Sequence, residues 1–104
     1  MTLIDPRGVR WSIAVPQTRR ERTRGLRRTA GLAPNHGMLF RRCRSVHTFG
    51  MRFDIDVAFL DAGNRVIAVR CGPPGRVLVD MRARDVLECA PGSGLRPGDL
   101  LGPG

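Results

Sequence analysis

The chain has 104 residues, of which 41% are hydrophobic, and this suits one compact domain with one core. Its 18 basic residues outnumber nine acidic ones, which leaves a net charge of +9 at pH 7. No stretch of the sequence approaches the roughly 18 apolar residues of a membrane-spanning helix, and its start lacks the apolar segment of a secretory signal. We therefore expect a cytoplasmic domain, residues 1–104, without a membrane partner.

The positive charge is concentrated in the first part of the chain. All 18 basic residues are arginines, and 11 of them lie in residues 1–44. The acidic residues of that part are Asp5 and Glu21, so its net charge is +9, whereas the net charge of residues 45–104 is zero. An arginine-rich segment favours phosphate-bearing partners, because the guanidinium group binds phosphate in a bidentate way. The other interpretation is a solvated face in a host that prefers arginine codons.

Nucleic acid or another acidic partner is therefore an alternative, bound by residues 19–44. Its contact residues would be Arg19, Arg20, Arg27 and Arg28. It is not favoured, because no aromatic residue lies within the basic run to stack on bases.

The three cysteines, Cys43, Cys71 and Cys89, are widely spaced and form no C-x-x-C motif. This spacing argues against a zinc knuckle and against a redox pair. Cys43 and His47 lie four residues apart, which places them within chelating distance on a helix but not on a strand. We predict no metal site, no cofactor and three reduced thiols.

The apolar pattern predicts mostly β-structure. Large apolar residues alternate with polar or small ones as in a half-buried strand at Val9, Trp11, Ile13 and Val15. A capping box at Thr18 and Glu21 predicts a short surface helix from Arg19 to Arg28. Further strands are predicted at Gly37–Phe40, over residues 46–60, and in the next run, RVIAVR, joined to it by a Gly-Asn turn. Two more follow in GRVLVDM and RDVLECA, and a last one at Asp99–Leu101. The fold predicted is α+β and mostly β: a small closed or partly closed β-barrel of five to seven short strands.

The order of several short motifs resembles a known family. These motifs are R-x-x-G-L at Arg22–Leu26, GMLF at Gly37–Phe40, IDVAFLD at Ile55–Asp61, VLE at Val86–Glu88, and Gly98 with Asp99. The chain resembles the family called domain of unknown function 192 over about residues 21–101. It departs from the family pattern where a Trp-Met-Lys-Asn-Thr-like run is replaced by residues 47–51, and where the usual proline is Asp54. The resemblance implies a small β-rich domain in which this strand lines a shallow depression, and it implies no established activity.

The candidate site lies in the stretch from Val46 to Leu60. If the stretch is extended, its odd positions form an apolar stripe that begins at His47, and its even positions include Thr48, Arg52 and Asp56. Gly50 can introduce a bulge, so the assignment of faces is firmer after it. Asp56 lies between apolar residues and needs a partner, either main-chain N–H groups, Arg52 or a ligand. Glu88 is likewise a carboxylate within an apolar strand, and its expected partner is an arginine on a neighbouring strand.

These residues favour a binding or accessory module over an enzyme. Its predicted ligand is a small polar molecule or a protein, bound at a shallow pocket that contains His47, Thr48, Arg52, Asp56 and Glu88. A second alternative is a hydrolase-like enzyme in which His47 and Asp56 act together, but a complete catalytic set is not evident. The sequence does not identify the ligand or the oligomeric state.

Overall fold

The computed structural model of the protein describes residues 1–16 and 33–104, and these contain nine β-strands. In chain order the strands are β1 (Thr2–Ile4), β2 (Arg10–Ala14), β3 (His36–Phe40), β4 (Ser45–His47), β5 (Ile55–Leu60), β6 (Val66–Gly72), β7 (Val77–Val79), β8 (Asp85–Cys89) and β9 (Gly102–Pro103). The described residues contain no helix, and so none that could cross a bilayer. The helix predicted at Arg19–Arg28 lies outside them.

Seven strands form one curled sheet in the order β6-β5-β8-β3-β2-β1-β9. Its neighbours are antiparallel except for the parallel pair β2 and β3. The segment before β9 also reaches the opposite edge, because Val66 donates its main-chain N–H to the Asp99 oxygen at 2.8 Å. The sheet is therefore a half-barrel whose two edges approach each other, and the mostly β prediction is confirmed.

Both faces of the central strands are buried. On β5, Ile55, Val57 and Phe59 belong to one apolar cluster, while Ala58 and Leu60 belong to another that also contains Trp11. A strand buried on both sides is apolar at nearly every position, as IDVAFL is. Asp56 is the exception, so its carboxylate enters the face that Ala58 and Leu60 share.

The strands β4 and β7 form a separate two-stranded sheet. Val46 and Leu78 lie opposite each other in this pair, and both pack into the cluster of Ile55, Val57 and Phe59. The small sheet thus covers one face of the half-barrel and leaves its own outer side to the solvent.

The predicted strand over residues 46–60 is two strands in two sheets. Gly50 has a φ of 80° and lies in the turn between them, a conformation that favours glycine. The odd positions after it do face one cluster, as predicted, but before it the faces are reversed: Val46 packs inward and His47 is exposed.

Two further differences concern short edge strands. The strand β1 was not predicted, because three residues show too little alternation to be recognised. The last strand lies at Gly102–Pro103 rather than Asp99–Leu101, where Leu100 makes an isolated bridge to Arg65.

Candidate functional site

Two arginine-rich loops lie side by side at one end of the molecule. Residues 41–44 connect β3 to β4, and residues 80–84 connect β7 to β8. Main-chain hydrogen bonds join them: Cys43 N–H donates to the Arg84 oxygen, and Asp80 N–H donates to the Arg44 oxygen, both at 2.9 Å. The Nε–H of Arg44 adds a bond to the Ala83 oxygen at 3.1 Å.

The two loops enclose a depression of about 510 Å³ that is lined by Arg42, Arg44 and Arg84. All three arginines are exposed. Guanidinium groups carry a positive charge at any physiological pH and only donate hydrogen bonds. The depression is therefore suited to an anion.

Buried aspartates hold the backbone of both loops. Asp85 accepts a hydrogen bond from the main-chain N–H of Arg42 at 2.9 Å, and Asp80 accepts one from the main-chain N–H of Arg82 at 3.0 Å. Side-chain bonds from Arg82 lower the pKa of Asp80 to about 2, so this carboxylate stays ionised. Both aspartates are almost completely buried, which leaves the arginines to face the solvent.

Thr48 is fully buried and serves the structure. Its hydroxyl donates to the Pro73 oxygen at 2.5 Å and accepts the main-chain N–H of Arg76 at 2.8 Å. The methyl group of Thr48 packs closely against Gly72, since a Cβ atom added to Gly72 would lie 3.3 Å from that methyl group. The predicted ligand residue Thr48 therefore joins the turn after β4 to the loop between β6 and β7, and its hydroxyl already has two partners there.

His47 and Arg52 are both exposed. The imidazole of His47 stacks on the ring of Phe49, with the ring centroids 5.2 Å apart. Arg52 follows the turn at Gly50 and forms no ion pair with Asp56 among the described residues. The Arg52–Asp56 pair, one of the alternatives for Asp56, is therefore absent, because Arg52 lies in a bend before β5 begins at Ile55.

Asp56 and Glu88 lie on opposite faces of the main sheet. Oδ2 of Asp56 accepts the main-chain N–H of Ser93 at 3.0 Å, which is one of the two structural partners the sequence suggested. Glu88 is flanked by Met38 on β3 and Val57 on β5, so the prediction of a cross-strand arginine is wrong. Burial raises the pKa of Glu88 to about 7.

The structure does not bring the five predicted ligand residues together. His47 lies on the outer side of the small sheet, Glu88 faces the cluster beneath it, and Asp56 lies beyond the main sheet. A metal site needs at least three His, Cys, Asp or Glu side chains close together, and residues 1–16 and 33–104 contain no such group. Arg19, Arg20, Arg27 and Arg28 lie outside the described residues.

The residues that line the depression were missed as a group. The signal was present in the runs RRCRS and MRARD, each with arginines beside a turn. Nothing in the sequence shows that loops 40 residues apart meet, because their contact depends on the pairing of β4 with β7 and of β3 with β8.

Residues 2–101 match the sequence profile of DUF192, a family described as an uncharacterized ACR. The chain belongs to this family. The resemblance found in its motifs is thus confirmed, and the match covers nearly the whole chain. No curated protein matches the chain.

Two solved structures have the same fold as this DUF192 domain. One is a crystal structure of a protein of unknown function from Novosphingobium aromaticivorans DSM 12444, with 21% sequence identity and a TM-score of 0.79. The alignment covers 96% of this chain and 81% of that one. The other, from Sinorhizobium meliloti 1021, is a protein whose proposed role is transcription regulation; it has 25% identity, a TM-score of 0.75, and coverages of 96% and 88%.

Proposed function

We propose that this DUF192 domain is a binding module whose ligand carries phosphate groups, held in the depression between the two arginine loops. The single observation that supports it is the convergence of Arg42, Arg44 and Arg84 around about 510 Å³ of open space. The binding-module interpretation of the sequence is retained, but its site moves from the 46–56 region to the loops at 41–44 and 80–84.

Phosphate suits these residues for a chemical reason. A guanidinium group offers five N–H donors in a planar fork, and two of them match two oxygens of one phosphate. The turn at residues 41–44 is held by Asp85 and by the Cys43–Arg84 bond, so little order has to be created on binding.

Both a free phosphate compound and a nucleic-acid backbone present this chemistry. The proposed role of the Sinorhizobium meliloti protein in transcription regulation is consistent with the second. A hydrolase-like reaction is not favoured, because His47 and Asp56 lie on opposite sides of the main sheet.

Titration calorimetry with pyrophosphate and fluorescence anisotropy with a labelled random 12-nucleotide DNA strand test the proposal on the full chain. We expect R42A/R84A to weaken binding of at least one ligand at least tenfold. The matched control R10A/R96A removes two exposed arginines outside both loops and leaves affinity within twofold. If neither ligand binds at 50 mM salt, or if both variants lose affinity equally, the proposal is wrong.

A further inference from the structure

The outer side of the small sheet carries exposed apolar side chains. Because Val46 and Leu78 pack inward, the next pairs along the strands face outward, His47 opposite Val77 and Ser45 opposite Val79. Val77 is 61% exposed and Val79 is 42% exposed.

Two larger side chains extend this surface beyond the strands. Phe49 follows β4 and is 51% exposed, and Met81 follows β7 and is 69% exposed. We call the surface formed by His47, Phe49, Val77, Val79 and Met81 the outer face. Several exposed apolar side chains on one surface mark a contact site more often than single exposed residues spread over a protein do.

Arginines surround the outer face. Four belong to its two segments, residues 44–52 and 76–82: Arg44, Arg52, Arg76 and Arg82. A fifth, Arg70, donates from its guanidinium group to the Val79 oxygen at 3.0 Å. The acidic residue in these segments, Asp80, pairs with Arg82 at 2.7 Å and with Arg70 at 3.9 Å. The other three rim arginines, Arg44, Arg52 and Arg76, form no ion pair among the described residues, so they supply the net positive charge of the rim. The outer face therefore has an apolar centre and a cationic rim.

The size of the outer face limits what binds it. Its two strands of three residues each cover roughly 10 Å by 10 Å at the usual spacings, and Phe49 and Met81 each extend this area by one side chain. A stable protein interface buries about 800 Å² on each partner, several times this area. A second copy of the chain is further disfavoured because each carries a net charge of +9 and presents the same cationic rim.

We propose that the outer face binds the surface of an anionic lipid bilayer. Phe49, Val77 and Met81 enter the headgroup region, and the rim arginines bind lipid phosphates around them. A bilayer needs no shape complementarity, so a few protruding side chains are sufficient. The expectation of no membrane partner rested on the lack of a spanning segment, and contact with the surface requires none.

Vesicle co-sedimentation with the full chain tests this proposal. Vesicles of phosphatidylcholine alone are compared with vesicles that contain about 30% phosphatidylglycerol, at 50 mM and 500 mM NaCl. We expect binding only to the anionic vesicles and at least a tenfold weaker affinity at the higher salt, because screening shortens the Debye length. V77S/M81S should bind at least tenfold more weakly than the wild type. The matched control L100S removes an exposed apolar side chain elsewhere and should stay within twofold.

Four results would overturn the proposal. The first three are no binding to anionic vesicles at 50 mM salt, equal binding by V77S/M81S and the wild type, and a dimer in light scattering that V77S/M81S abolishes while vesicles remain unbound. Binding of an acidic amphipathic peptide in place of vesicles would also overturn it. Urea unfolding checks that each variant is folded. A variant whose unfolding midpoint lies within about 0.3 M urea of the wild-type midpoint is as stable as the wild type for this purpose. Val77 lies in β7, outside both arginine loops, so V77S alone should leave the pyrophosphate affinity unchanged while it weakens vesicle binding. This test and the test of the arginine depression therefore fail independently.

Discussion

The main-chain N–H of Arg42 donates a hydrogen bond to Oδ1 of Asp85 at 2.9 Å, and Arg42 has a φ of 53°. A left-handed backbone is costly for a residue other than glycine, by roughly 1–2 kcal/mol. The buried carboxylate offsets this cost and leaves the guanidinium group of Arg42 directed at the depression, where Asp85 does not neutralise it at close range.

Removal of that carboxylate should therefore affect both stability and binding. We expect Asp85→Ala to lower the free energy of unfolding by about 1–3 kcal/mol, because the Arg42 N–H loses its acceptor, and to weaken pyrophosphate binding. Asp85→Asn keeps an oxygen at this position and should lose less of both. Urea unfolding and calorimetry on the two variants measure the effects, and equal losses in both variants would show that charge, not the hydrogen bond, is what matters.

The stability of the protein should depend more on the hydroxyl group of Thr48 than on the volume of its side chain. Thr48→Val keeps the shape but leaves the Pro73 oxygen and the Arg76 N–H without their partner, at a cost of about 1–3 kcal/mol. Thr48→Ser keeps the hydroxyl, loses one buried methyl group and should cost about 1 kcal/mol. Chemical denaturation ranks the two, and a more stable valine variant would contradict the structural role assigned to Thr48.

Stability should fall as the pH rises through the titration range of Glu88. Burial raises its pKa from 4.5 to about 7, so the folded state holds a proton that the unfolded state has released over this interval. The difference of about 2.5 pKa units corresponds to about 3 kcal/mol that is present below pH 4.5 and lost above pH 7.

Glu88→Gln removes this titration and keeps the neutral shape. Unfolding in urea between pH 4.5 and pH 8 should show the wild type losing stability relative to this variant as the pH rises. Parallel curves would mean that the Glu88 carboxyl is not desolvated in the folded protein.

The thiols should differ in reactivity. Cys89 is fully buried, and burial together with the nearby charge of Asp56 raises its pKa to about 12, whereas Cys71 is exposed. Because the thiolate is the nucleophile, iodoacetamide at pH 8 should modify Cys71 at least a hundredfold faster than Cys89. Peptide mass mapping with and without denaturant measures both rates. Early modification of Cys89 in the folded protein would show that the β8 end of the sheet opens.

The local patterns of the sequence were sufficient for most of the β-structure. Alternation located β2, and the run of apolar residues with its Gly-Asn turn located the β5–β6 hairpin. That turn is held as expected, since Asp61 accepts the main-chain N–H of Gly63 at 2.8 Å. The alternation of faces was predicted wrongly before Gly50, because the left-handed turn at this residue divides the stretch into β4 and β5, which belong to different sheets.

The family and the mostly β character follow from the sequence by itself, because local periodicity and motif order are properties of neighbouring residues. Which polar residues meet was decided only by the tertiary structure. Asp56 and Glu88 both interrupt apolar strands, yet the chain after β8 brings Ser93 to Asp56, while antiparallel register places Glu88 between Met38 and Val57. The same register joins the loops of Arg42 and Arg84. A contact between residues 40 positions apart depends on strand pairing across the whole sheet, and no local pattern encodes it.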